Sequence, residues 1–276
     1  MKKWIFSAVL YLIIVITAYS IYDQFAEGEN IERQAHGESH AENTEGENHN
    51  HNDGSHEHDG TGEWWANIVE TEVKVDNENL NITIKDSAGE YVEELEINHE
   101  KLLHLIVVTT DLETYKHLHP EQTGPGQFRV KHDLPEGAYK AFIDIKPKEM
   151  NYEVQPISFK IAEGSGKPAN LQESKNLTVE QSGHAVTLQP SSQKVNEEVV
   201  LEFDLDGETP EPYLGALGHV VILDEKAEEY IHVHPGEGDK PVFLTEFQKP
   251  GLYKVWAEFK FEGEVFTFPY VLKIEE

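Results

Sequence analysis

Six of the fifteen histidines in this chain of 276 residues fall into two sets with one spacing, His104, His117 and His119, then His219, His232 and His234. Each set reads H-x12-H-x-H-P, and every histidine of the first recurs 115 positions later. Residues two apart on a β-strand project from one face, so His117 points with His119 and His232 with His234. Reading DLETYK and DEKAEE as hairpin turns brings His104 back opposite His119, and His219 opposite His234. Three imidazoles then meet on one face of each copy. A slip of one residue in the pairing would turn the leading histidine to the other face.

Three neutral imidazoles on a rigid hairpin form a ligand set for Zn(II) or Cu(II), at about 2.0 Å per nitrogen, with water or a carboxylate completing the shell. The Irving–Williams order favours Cu(II) at an all-nitrogen site wherever copper is available. Asp144 and Glu258 occupy matching positions on a later strand of the two copies. They are candidates for a fourth ligand or for a carboxylate behind a ligand. The competing interpretation is structural, with H-x-H-P closing a strand and both rings hydrogen-bonded. Two copies that keep the same three histidines, while most positions between them differ, favour the metal.

A second, looser group of imidazoles lies upstream. His49, His51, His56 and His58 form two H-x-H pairs among Asp53, Glu57 and Asp59, with His36 and His40 before them. The whole of residues 23–63 supplies Gly, Asn, Ser, Glu and His and almost no large apolar side chain. Such a segment cannot repay the entropy of ordering. It is expected to be a disordered tether offering weak, exchangeable metal capture.

The elements that must position the folded histidines are strands. LNITIKD, LHLIVVTT and AYKAFIDI in the first copy, with EEVVLEFDL, HVVIL, YIHVH and LYKVWAEF in the second, are short and rich in β-branched or aromatic residues. Val220, Ile222, Ile231 and Val233 fall on the face opposite the histidines and should build a core. FRVKHDLPEGAYKAFIDI from Phe128 resembles FLTEFQKPGLYKVWAEF from Phe243 after a one-residue gap, which extends the repeat. The expected fold is all-β: two tandem immunoglobulin-like antiparallel β-sandwich domains, residues 64–165 and 172–276, joined by the Gly/Pro linker EGSGKPAN.

Before them stand Lys2, Lys3 and an uncharged run from Trp4 to Tyr22. That run approaches the length of about 20 residues that crosses a bilayer as a helix, and the lysines would stay inside. Residues 1–22 are therefore expected to be a transmembrane anchor with the rest extracytoplasmic. Small residues at Ala18 and Ser20 leave a cleaved signal peptide, and so a secreted chain, as the alternative.

Composition narrows the chemistry further. A formal charge of −30 opposes binding to nucleic acid. The absence of cysteine excludes disulfides, thiolate metal sites and cysteine nucleophiles, and with only Met1 and Met150 there is no Met-rich Cu(I) site. No serine–histidine–acid set, phosphate loop or paired catalytic carboxylate stands out, so the chain is not expected to be an enzyme.

The segments Leu103-His104-Leu105-Ile106 with His117-Leu118-His119-Pro120, and Gly218-His219-Val220-Val221 with His232-Val233-His234-Pro235, resemble exported bacterial proteins with YtkA-like immunoglobulin-type domains. That resemblance covers both expected domains and implies heavy-metal handling without naming the metal. The cupin pattern, with a glutamate four residues after its H-x-H, does not fit: Glu121 and Glu237 lie too close. The function expected is metal sequestration or delivery at the cell envelope, with an envelope or metal-transport protein as partner. The alternative is a non-catalytic interaction module whose histidines are structural.

Overall fold

The computed structural model describes residues 69–98, 100–233, 235 and 240–276. The expected anchor, the tether with His49, His51, His56 and His58, and the side chain of His234 lie outside the described residues. Every regular element described is a strand, and among the described residues no helix is long and apolar enough to cross a membrane.

The first nine strands are β1 (Val69–Asp76), β2 (Asn79–Asp86), β3 (Leu95–Glu96), β4 (Leu103–Thr109), β5 (Tyr115–Leu118), β6 (Glu121–Gly124), β7 (Gln127–Lys131), β8 (Gly137–Pro147) and β9 (Ile157–Ile161). They form one sheet in the order β1-β2-β7-β6 and another in the order β3-β8-β4-β5, with β9 also on β8. The remaining strands are β10 (Thr178–Gln181), β11 (His184–Pro190), β12 (Glu198–Asp204), β13 (His219–Asp224), β14 (Tyr230–Val233), β15 (Val242–Glu246), β16 (Gly251–Phe261) and β17 (Glu264–Ile274). Their sheets run β10-β11-β12-β15 and β14-β13-β16-β17. The histidine hairpins β4-β5 and β13-β14 occupy equivalent places, each beside the long strand β8 or β16.

Alternation explains the inner faces. In β2 Leu80, Ile82 and Ile84 are buried and the residues between them are half-exposed. They meet Leu105 and Val107 of β4 in one core, while Val220 and Ile222 of β13 join Leu201 and Phe243 in another. In each half a tyrosine ties a turn down: Tyr139 donates to the Pro135 carbonyl at 2.7 Å and Tyr253 to that of Lys249 at 2.9 Å. Such corners are a mark of Greek-key sandwiches.

β4 and β13 break the alternation, because they are buried along almost their whole length. Strands covered on both faces read as continuous apolar runs. Here the second face of each packs on the other half of the molecule: Ile106, Val108 and Phe142 form a third core with Val221, Leu223 and Trp256. Residues 162–177, between the halves, carry no strand but lie tightly against them. A Cβ on Gly166 would come within 2.1 Å of the Thr110 hydroxyl and 2.8 Å of the Ala138 methyl. Leu171 is buried in the third core, and Ser174 exchanges hydrogen bonds with Val271 at 2.9 Å.

Candidate metal centre

The ladder between β4 and β5 pairs Leu105 with Leu118 and Ile106 with His117. This register puts His104, His117 and His119 on the face that carries Ile106 and Val108, the face turned to the other half. On β13 and β14, Val221 pairs with His232 and His219 stands two residues before Val221 on the same face. Five described imidazoles therefore gather at the seam. Ring centres within the first set lie 4.6 to 5.2 Å apart. The rings of His219 and His232 stand 5.6 to 6.4 Å from those of His104 and His117.

Each leading histidine is anchored through Nε2. His104 Nε2 lies 2.9 Å from the Asn98 carbonyl and His219 Nε2 lies 2.9 Å from that of Tyr213. A carbonyl only accepts, so each Nε2 carries the proton and, in the neutral ring, the lone pair sits on Nδ1. Burial pushes His104 down to about 4 and His219 down to about 3, so both rings are neutral at pH 7.

The next histidines are oriented by carboxylates. His117 Nδ1 donates to Glu258 Oε2 and His232 Nδ1 to Asp144 Oδ2, both at 2.6 Å. Burial works to raise the Glu258 carboxyl, but the charge and hydrogen bond of His117, with His219 and the Tyr115 hydroxyl, outweigh it and hold it below its ordinary value. Asp144 is paired to His104 in the ladder and Glu258 to His219. Neither acid serves the hydrogen-bonded histidine of its own half; each reaches across the seam. The tyrosines cross with them, Tyr115 donating to Glu258 at 3.2 Å and Tyr230 to Asp144 at 3.3 Å. Tyr115 stacks on Trp256 and Tyr230 on Phe142.

With their outer nitrogens committed, His104 Nδ1 and His117 Nε2 face each other at 2.9 Å. Two lone pairs at that distance repel unless a proton or a metal cation is held by both. His119 completes the set: its Nε2 is buried with no hydrogen-bond partner, a loss of about 1 to 3 kcal/mol where nothing satisfies it. Burial and the neighbouring imidazoles push His119 down to about 3, so its lone pair is available at pH 7. The candidate ligand atoms of the three rings all lie within 4.8 Å of one another. Tetrahedral Zn–N bonds of about 2.0 Å need nitrogens about 3.3 Å apart, which small side-chain rotations supply. His119 also lines a surface cleft of about 500 Å³ with Glu121, Arg129 and Lys131.

Sequence reasoning left out the Asn98 and Tyr213 carbonyls, which carry no residue-type signal. It also left out Tyr115 and Tyr230, whose signal was present as an identical pair two residues before His117 and His232. His132 and His184 stand apart from the cluster and are half-buried: His132 Nδ1 accepts from the Leu134 amide and His184 stacks on Phe261.

The family model of a domain of unknown function, DUF8832, matches residues 57–163 and 178–276, most of the chain. The chain belongs to this family. No curated protein matches this DUF8832 chain in sequence. Among solved structures, the Escherichia coli adhesin FdeC is similar over 76% of the chain at 14% identity, with a TM-score of 0.24, and the chain spans 65% of its length. A two-domain fibronectin type-III segment of chicken tenascin matches over 74% of the DUF8832 chain and 97% of its own, at 11% identity and a TM-score of 0.24. Domains FN1–FN3 of chicken CNTN1 match over 73% and 66%, at 11% identity and a TM-score of 0.20.

Proposed function

We propose that this protein is a membrane-tethered, extracytoplasmic transition-metal-binding protein that sequesters or delivers Cu(II) or Zn(II), and that it is not an enzyme. Its two halves act as tandem immunoglobulin-like domains, a reading supported by the repeated strand order and the paired tyrosine corners. The observation that carries the metal is the trio His104, His117 and His119. Its outer nitrogens are held by a carbonyl and a carboxylate, its inner ones converge, and one of them is buried without a partner. Metal-ligating histidines characteristically donate their second N–H to such groups, which gives Glu258 and Asp144 the part of orienting carboxylates. The tether collects ions and the folded centre holds them, for exchange with an envelope or metal-transport protein.

A second reading is an interaction module with structural histidines, favoured by the His117–Glu258 and His232–Asp144 bonds that tie the halves without any ion. Calorimetric titration of Zn(II) and Cu(II) into the chain lacking residues 1–62 separates the two. The metal reading expects a site that H117A/H119A abolishes. Binding no tighter than to a histidine-poor control protein, or binding untouched by that double variant, leaves the interaction module.

A further inference from the structure

We propose that the seam holds two metal ions side by side, one on His104, His117 and His119 and a second on His219 and His232, close enough for two Cu(II) ions to couple magnetically. This rests on the metal reading above and deepens it. The second pair is built like the first: His219 hangs by Nε2 from the Tyr213 carbonyl as His104 does from Asn98, and His232 leans by Nδ1 on Asp144 as His117 does on Glu258. The other two nitrogens, His219 Nδ1 and His232 Nε2, are buried.

One ion does not gather all five rings. Among the described residues, the group whose ligand atoms all lie within 4.8 Å of one another ends with His104, His117 and His119. Yet the rings of the second pair stand only 5.6 to 6.4 Å from His104 and His117, so an ion held there has the first as its neighbour. Two dications at close quarters repel, and a site for both needs anionic charge beside each. The crossed carboxylates supply it, Glu258 behind a ligand of the first position and Asp144 behind a ligand of the second.

The test is a Cu(II) titration of the full chain with its tether histidines replaced (H36N, H40N, H49N, H51N, H56N, H58N), followed by electron paramagnetic resonance and metal analysis. The first equivalent should give a magnetically isolated signal. The second should add a half-field transition and broaden the hyperfine lines, and H219A should bind one ion with the isolated signal alone. Saturation at one equivalent, two equivalents with a simply additive spectrum, or coupling that survives H219A would overturn the proposal while leaving the metal reading standing. No bound copper at all would remove both.

Discussion

At the scale of residues, the centre depends on buried imidazoles that stay neutral, and this fixes how stability responds to acid. His104, His119 and His219 are held at about 4, 3 and 3, against an ordinary value of 6.5. Below pH 6.5 the unfolded chain takes up protons that the folded one refuses, so their contribution is complete above that pH and is lost as pH falls. Each should contribute a slope of at most about 1.4 kcal/mol per pH unit once the pH is below 6, flattening near pH 4 for His104 and near pH 3 for His119 and His219. Urea unfolding of the metal-free protein from pH 7.5 to 4.5 measures this, and a flat profile would mean that the rings protonate in place. The orienting carboxylate has its own signature. E258Q keeps the shape of the side chain but removes its charge, and should weaken the ion on His117 by 10- to 100-fold in a chelator competition. The grouping of His104, His117 and His119 was legible from spacing and strand period alone. The crossing of Asp144 and Glu258 was not, because a sequence repeat gives neighbours within a sheet and says nothing of what two packed sheets exchange.

At the scale of elements, the histidine hairpins are rigid because β4 and β13 are covered on both faces. The sign of this was present in the runs LHLIVVTT and HVVIL, whose Ile106, Val108 and Val221 put apolar side chains on the same face as the histidines. An exposed metal face would have alternated with polar residues; an apolar one had to be covered. Trp256 is the largest side chain of that cover and the platform for Tyr115. W256A should cost about 3 to 5 kcal/mol in equilibrium unfolding, and should loosen metal binding through Tyr115 and Glu258. Gly218 controls the entry to β13. Its φ is 151°, and a Cβ there would stand 2.6 Å from the Phe259 ring and 2.9 Å from the Glu258 carbonyl. G218A should therefore lower the melting temperature and weaken binding both at His219 next to it and, through the displaced Glu258, at His117.

At the scale of the whole molecule, the third core and the histidine cluster share one seam, so the proposed metal binding would be linked to folding. A ligand that binds only the folded form stabilises it by about 2.7 kcal/mol at one hundred times its dissociation constant. Zn(II) should raise the melting temperature of the chain lacking residues 1–62 and EDTA should reverse the rise. An identical melt with and without metal would place the ion on the tether alone. The all-β character of the chain was legible because it follows from local patterning. The face-to-face burial of the repeats was not, since equal spacing describes separate beads as well as a packed pair.

The exchange of acids has a last consequence, for either half taken alone. Residues 69–161 carry His117 and an acid, Asp144, that serves another half's histidine; residues 178–274 carry His232 and, in Glu258, the acid that His117 lacks. One copy by itself could remake both bonds against a second copy of itself, turned about a symmetry axis. In this respect the chain is arranged like a homodimer written into a single polypeptide, with a reciprocal contact like an isologous one in which Asp answers to Glu and Phe to Trp.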